Sequence, residues 1–451
     1  MSHPTPTRIL ILGGGFGGVY AALELMRAHR PDRPLHITLV NRDNFFLFTP
    51  MLHEVAASDL DFTHIVNPLR KLLPGVHLFH GDVDSIDLAT KRVTVSHGSD
   101  HHDHEIEYDH LILGFGSVTN FFGLPGLAER AITMKSLGDA IHLRNRAIAH
   151  LEEANFECGA HNREPLLRVV VAGGGFAGVE TVGALHDFLE EAVRFYPNLD
   201  VGAIRMTLVH PGEVILPELG PELGAYAQRK LIERGIDVRT RTRVTGVTAD
   251  GVALSDGTSL ATRTLVWTAG TSPHPLLATL PVTCERGRVR VNAQLEVAEW
   301  PGVWAVGDCA SIPDPATGGA CPPTAQHAIR QGTLIARNIL ATIAGRPRRA
   351  FAFRGLGQLA AIGKRTGVAR VFGLQFSGFL AWWLWRTVYL SKLPRAEKKM
   401  RVMLDWTLDL IFAKDLVHFE TARSFAYDSP MRVMPETVGT AAVAPTQEVR
   451  P

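Results

Sequence analysis

Two glycine-rich stretches, ILILGGGFGG at 9–18 and VVVAGGGFAG at 169–178, offer the clearest chemistry in this chain. In the first, Gly13, Gly15 and Gly18 stand in a G-x-G-x-x-G spacing directly after the apolar run RILIL. In the second, Gly173, Gly175 and Gly178 follow RVVVA. A helical pattern succeeds each loop, VYAALELMRAHR and VETVGALHDFLEEAVRF. The order strand, glycine loop, helix suits a dinucleotide. The first glycine makes a tight turn, the second lets backbone approach a pyrophosphate, and the third lets helix and strand pack closely. The helix N-terminus then presents free N–H groups and partial positive charge to the phosphates. One such loop is weak evidence, since a glycine turn can bind nothing. Two in one chain, each between strand and helix, point to two dinucleotides.

The parallel continues at the next strand, HITLVN (36–41) in the first unit and RMTLVH (205–210) in the second. That strand end usually carries an acid whose carboxylate accepts from the ribose hydroxyls. Here it carries Asn41, which can still hydrogen-bond a ribose without charge. His210 removes the carboxylate that would repel a 2′-phosphate. The choice between NADH and NADPH stays open.

A third stretch, PGVWAVGDCA (301–310), reads as an apolar strand ending in Gly307–Asp308, with a helix beginning after CPPT (321–324). Pro323 suits a first helical turn, where its missing N–H is harmless. A helix N-terminus aimed at a flavin ring would stabilise the negative charge of the reduced form. With YDHLILGFGS (108–117) and TLVWTAGTSP (264–273), these residues resemble the two-dinucleotide-binding-domain flavoproteins. The resemblance implies an α/β fold of two Rossmann-like, glutathione-reductase-like domains, the FAD domain being split by an inserted NAD(P)H domain. The expected segments are 1–122 and 281–345 for FAD and 123–280 for NAD(P)H. A C-terminal amphipathic region at 346–425 is expected to associate with a membrane and a second copy, and 426–451 to be a disordered tail. The same resemblance implies that Gly13, Gly15, Gly18, Asn41 and Asp308 fall at FAD. Gly173, Gly175, Gly178 and Gly270 fall at the nicotinamide nucleotide, with His210 at the same strand end.

Many flavoproteins of this architecture pass electrons to cysteines early in the FAD domain, but no cysteine precedes Cys158 here. Disulfide-reductase and single-cysteine peroxidase chemistry therefore lack a nucleophile. Cys309 and Cys321 read as two small buried thiols. A better acceptor site is TAQHAIRQG (324–332), which fits A-Q-x-A-x-x-Q with Ala325, Gln326, Ala328 and Gln331. Ala325 and Ala328 share a helix face, where small side chains would admit a flat ring. The glutamine amides offer donors and acceptors suited to quinone carbonyls. In its place after GDCA, this run resembles the quinone-site motif of the type II NADH dehydrogenases, the non-proton-pumping NADH:quinone oxidoreductases. NFFLFTPMLHEVA, GFAGVE and the C-terminal third carry the same resemblance, from about Arg8 to Glu420. On that resemblance Glu180 helps position the hydride donor or relays protons; alternatively it only complements a helix dipole. Lys364 resembles a basic residue close to the quinone channel.

A quinone lives in lipid, so a membrane surface is an expected partner. Val371 to Trp385 is fifteen residues without charge between Arg370 and Arg386, shorter than the roughly 20 needed to span. Trp382, Trp383, Trp385 and Trp406 cluster there with Tyr389, Lys392, Arg395, Lys398, Lys399 and Arg401. Aromatic residues beside basic ones describe a segment lying in the headgroup plane; a dimer interface or a Trp-rich core is the alternative. A near-neutral chain, formal net charge +1, gives no reason to expect nucleic acid. The first apolar run enters glycines directly, so a cleaved signal peptide is not expected; the cytoplasmic side of the cell membrane is. HGSDHHDHEIE (97–107) reads as a hairpin loop whose spacing matches no standard metal-ligand pattern, so no metal is expected. Two rival functions remain. A soluble NAD(P)H reductase of a protein such as ferredoxin would ignore lipid, and a nucleotide-sensing flavoprotein would reoxidise slowly with every acceptor.

Overall fold

The computed structural model describes residues 5–28, 34–98 and 100–418; the expected tail at 426–451 lies outside them. Two five-stranded parallel sheets organise the chain. The first runs in the order Val303–Ala305, His110–Leu113, Thr7–Leu12, Leu35–Asn41, His77–His80. The second runs Ile132–Thr133, Thr264–Trp267, Arg168–Ala172, Arg205–Val209, Asp237–Arg239. Strands buried on both faces read as continuous apolar runs rather than alternating ones. Ile9 to Leu12 and Val169 to Ala172 are accordingly all buried. The strand at 303–305 completes a sheet begun before residue 120, so the second sheet is inserted into the first unit.

Each central strand ends in its glycine loop and feeds a helix, Phe16–Arg27 or Phe176–Ala192. Against the first helix lies Ala325–Ile343, and glycine sets the approach: a Cβ on Gly332 would stand 2.1 Å from the carbonyl oxygen of Gly17. Backbone thus meets backbone, which seats the start of Ala325–Ile343 beside Gly307. That helix begins at Ala325 with Thr324 extended at its N-cap. Pro323 therefore precedes the helix instead of occupying its first turn. The cause is local, as Thr324 breaks the helical dihedrals at φ −128°.

The C-terminal unit is an antiparallel sheet of Gly357–Gly363, Thr366–Val371 and Leu374–Gly378. Helices Phe379–Lys392 and Ala396–Leu408 follow, separated at Leu393 because the residue before Pro394 avoids the helical region. Its first strand is pressed onto the second glycine-loop helix: a Cβ on Gly183 would lie 2.5 Å from the oxygen of Ile362. Among the described residues no helix is long and apolar enough to cross a membrane.

Two sequence expectations need correction here. The tryptophans do not form one outward cluster: Trp385 is fully buried and Trp406 is 7% exposed, whereas Trp383 is 51% exposed. Lys398 is also buried, donating to the oxygen of Thr63 at 2.6 Å. The exposed large apolar side chains of this unit include instead Phe372, Phe379, Trp383, Met400, Leu404 and Phe412. The histidine-rich stretch is not a loop. His102–Glu107 is a strand paired antiparallel with Arg92–His97.

The backbone contact between the two helices carries a testable consequence. Gly332→Ala forces a methyl against a carbonyl that cannot rotate away, at a cost of roughly 1–3 kcal/mol. Calorimetry should record a lowered Tm, and an unchanged Tm would mean that the helices do not touch as described.

Candidate functional site

The two glycine loops have the same construction. Gly13 and Gly173 take φ values of +105° and +112°, which other residues rarely adopt. A Cβ on Gly18 would lie 2.0 Å from the oxygen of Gly13, and one on Gly178 would lie 1.8 Å from that of Gly173. Gly15 and Gly175 differ from both: a Cβ there meets nothing within 4 Å. Turn, close packing and open approach thus fall on the first, third and second glycines, and each loop can cradle a pyrophosphate at a helix N-terminus.

Asn41 and His210 do matching work. Asn41 Oδ1 accepts from the N–H of Gly14 at 2.7 Å, and His210 Nδ1 accepts from the N–H of Gly174 at 3.1 Å. A ring nitrogen that accepts is unprotonated, and burial lowers the His210 pKa. His210 therefore presents a neutral ring, which neither repels nor attracts a 2′-phosphate by charge. Gly270, at φ +120°, is packed so that a Cβ would reach 2.6 Å from the Phe122 ring.

At the third stretch, Gly307 takes φ +73° and its N–H donates to Gln331 Oε1 at 3.1 Å. Asp308 Oδ2 accepts from Ser117 Oγ at 2.9 Å, and Ser117 Oγ accepts in turn from Lys135 Nζ at 3.0 Å. Sequence reasoning missed both partners, which lie on other segments. Gln326 donates through Nε2 to the oxygen of Gly357 at 3.3 Å and accepts at Oε1 from the N–H of Leu356 at 3.2 Å. The two amides expected to face a quinone thus also tie the Ala325–Ile343 helix to neighbouring backbone. Ala328 is buried beside Gly307 and Ala325 is half-buried. Cys309 donates to the oxygens of Leu113 and Val306, and burial pushes its thiol up to about 11. Cys321 is raised to about 11 as well, so neither is a thiolate nucleophile near neutral pH.

The most unusual electrostatics lie where three segments meet. Glu180, 7% exposed on Phe176–Ala192, accepts at Oε1 from Trp385 Nε1 at 2.8 Å and from the N–H of Ala361 at 3.3 Å. Its Oε2 is 3.8 Å from His53 Nδ1. Burial pushes the Glu180 carboxyl up to about 8 and drives His53 down to about 3, so this contact joins two neutral groups. Glu54 is 5% exposed, and both its oxygens accept from Trp406 Nε1 at 3.2 Å. Burial raises it to about 8 despite the opposing field of Arg386, whose guanidinium stacks on Trp382 at 4.2 Å and Trp406 at 4.6 Å. The rings of Phe16, Phe48 and Tyr389 meet edge to face, and Tyr389 lies tilted against Trp385, so that aromatic contacts run from the first glycine loop towards Glu180. Buried acids poised near neutrality can take or give protons where water is scarce.

His53 and Glu54 were also missed. The available signal was two polar residues inside NFFLFTPMLHEVA, in the short helix Leu52–Ala56, where all five residues are buried. Lys364 follows the strand Gly357–Gly363, and its charged partners among the described residues are Glu191 at 3.8 Å and Asp409 at 3.9 Å.

Comparison with known proteins extends this reading. Residues 7–332 match the family model described as pyridine nucleotide-disulphide oxidoreductase, and residues 356–415 match the NDH2 C-terminal domain. A probable NADH dehydrogenase of Dictyostelium discoideum is 32% identical, with 91% of each chain covered. A type II NADH:quinone oxidoreductase of Mycobacterium tuberculosis is 32% identical over 90% of this chain and 89% of its own. Among solved structures, NDH2 from Plasmodium falciparum in complex with NADH superposes with a TM-score of 0.85 at 19% identity, covering 92% of this chain and all of that one; this likeness speaks for the fold.

The raised carboxyls make stability depend on pH. Between the ordinary 4.5 and about 8, the unfolded chain has released protons that folded Glu54 and Glu180 retain. Their contribution is fully present below that window and is lost as pH rises through it. Glu54→Gln keeps an acceptor for Trp406 but cannot titrate. Its Tm should fall less than that of the parent chain between pH 6 and 8, by roughly 2–5 °C; parallel profiles would refute the assignment.

Proposed function

Because the chain belongs to the type II NADH dehydrogenases, we propose that it passes two electrons from NADH through bound FAD to a membrane quinone, without pumping protons. One observation carries the reading: the duplicated cradle whose middle glycine faces open space, with buried Glu180 two residues beyond the second copy's last glycine. The flavin and the nicotinamide supply the redox chemistry when bound; the chain supplies binding, orientation and electrostatics.

In this proposal Gly13, Gly15 and Gly18 hold the FAD pyrophosphate. Asn41 keeps the loop in shape at the adenosine end, and Asp308, oriented by Ser117, holds the far end. Gly173, Gly175, Gly178 and Gly270 hold NADH, with His210 as the matching loop anchor. Its neutral ring leaves NADPH admissible. Gln331 fixes the Gly307–Asp308 turn, Gln326 fixes the 356–357 backbone, and the small side chains of Ala325 and Ala328 leave room for a flat quinone ring. Glu180, protonated below pH about 8, holds a proton that reduction of a quinone consumes, with Glu54 and His53 as its buried neighbours. Lys364 sits on the ionic rim outside them.

Membrane contact follows from chemistry of the same kind. The apolar face of Phe379, Trp383, Met400 and Leu404, flanked by Lys392, Lys399 and Arg401, suits insertion to headgroup depth on the cytoplasmic side. A homodimer would present two such faces to one bilayer.

Anaerobic stopped-flow tests the reading. NADH should bleach the flavin quickly, and a short-chain quinone should restore its colour faster still. A flavin that bleaches but stays reduced with quinone would sink the proposal in favour of a protein acceptor. Gly15→Val should yield protein without flavin, and Gly175→Val protein that keeps its flavin but is not bleached. Phe379→Ser with Trp383→Ser should weaken binding to anionic vesicles about tenfold or more while leaving the bleaching rate unchanged.

A further inference from the structure

The histidine-rich hairpin takes no part in the proposed electron transfer, and its geometry stands independently of that reading. Strands Arg92–His97 and His102–Glu107 pair antiparallel, with His97 directly opposite His102. His104, two residues on, shares the face of His102 because side chains alternate along a strand. Three imidazoles therefore gather on one side of a rigid ribbon. The His97 and His104 rings stack at 23° with centroids 5.0 Å apart, and the His102 ring lies 4.8 Å from His104 and 5.6 Å from His97. Phe79 packs against this group, 5.9 Å from His97 and 5.3 Å from His104, and braces it from the neighbouring sheet.

The Nε2 atoms of His97 and His104 are 3.0 Å apart, closer than their ring centroids. The two rings thus converge on their Nε2 edges. A transition dication bound at about 2.0–2.1 Å from each nitrogen sets adjacent ligands about 2.9–3.4 Å apart, for square-planar or tetrahedral arrangements. The observed separation falls within that range. The cleft beside the hairpin is lined by His80, His97 and His101, together with Arg42, whose guanidinium is engaged by Asp82 at 3.6 Å.

We propose that His97 and His104, through their converging Nε2 atoms, form a surface site for a divalent transition cation of the Zn2+, Ni2+ or Cu2+ class, which imidazole nitrogens favour. Among the described residues, the group of three metal-capable side chains whose ligand atoms lie within 4.8 Å of one another is His186, Asp187 and Glu190, on another part of the fold. There Arg234 already engages the Asp187 carboxylate and lies 3.3 Å from His186 Nδ1, so a guanidinium fills the space a cation would need. At the hairpin, an ion would cross-link a ribbon that closes over the end of the first sheet. The N–H of Gly81 donates to the oxygen of Asn41 at 3.1 Å, and a Cβ on Gly81 would stand 2.2 Å from the oxygen of Ser96. The hairpin is thereby seated directly on the strand end that carries Asn41.

The test uses the flavin-loaded full chain without any histidine tag, stripped with chelator and titrated with Zn2+ against a chromophoric competitor. One Zn2+ per chain is expected. His97→Gln and His104→Gln should each weaken binding about tenfold or more, and the double variant should lose it. His36→Gln with His77→Gln, another neighbouring exposed pair, should bind as the parent does. Cu2+ in the same site should show electron-paramagnetic splitting from at least two nitrogens. Undiminished uptake by the double variant, with unaltered circular dichroism and flavin content, would place the ion elsewhere and overturn the proposal. Absence of stoichiometric uptake by the parent chain would overturn it as well.

Discussion

A carboxyl group kept from water at the meeting of three chain segments is the constraint on which this structure turns. Glu180 comes from the inserted unit, His53 and Glu54 from the first unit, and Trp385 and Trp406 from the C-terminal helices. An ionised carboxylate in such a place would be costly, and the site answers by holding it neutral and hydrogen-bonded. Indole N–H donors suit this work, since they satisfy an acceptor without bringing charge. The segments must therefore dock together for any one of them to be satisfied. The junction proposed to hold the proton is also a folding junction.

The docking itself is achieved by the absence of side chains. Gly332 against Gly17 joins the helix after Asp308 to the first glycine-loop helix, and Gly183 against Ile362 joins the second glycine-loop helix to the C-terminal sheet. Both contacts place backbone on backbone, where little can slide or rearrange. A rigid scaffold of this kind is what hydride transfer asks of a protein, because its contribution is alignment. The strap after the last helix adds ionic fastening. Lys414, almost wholly buried, pairs with Asp59, while Arg144 donates to the oxygens of Asp415 and Val417.

What the sequence makes legible follows from how local each feature is. Strand, glycine loop and helix are contiguous, so the α/β fold and its duplication can be read directly from 9–27 and 169–192. Tryptophan direction cannot be read this way. Trp383 and Trp385 are two residues apart on one helix, yet one faces outward and the other donates to Glu180, 205 residues away. Glu54 likewise finds Trp406 across 352 residues. Nothing local announces such partners except the oddity of a glutamate in an apolar run. The glutamines illustrate a third case. Their type fits a quinone, but their amides are also fixed to Gly307 and to the 356–357 backbone. Spacing alone does not separate contact with a substrate from support of the wall around it.

The anchor at the second strand end bears on how such an enzyme can change over evolutionary time. His210 accepts from the Gly174 amide, so a replacement must bring a short acceptor to that point or leave a loop N–H without its partner. Histidine, asparagine and aspartate meet that demand; lysine and arginine, which have no acceptor, do not. A lineage shifting its choice of nicotinamide nucleotide through this position is thus confined to neutral or acidic side chains. Any cation that welcomes an extra phosphate has to arise on a different residue, and selectivity must evolve around the anchor instead of through it.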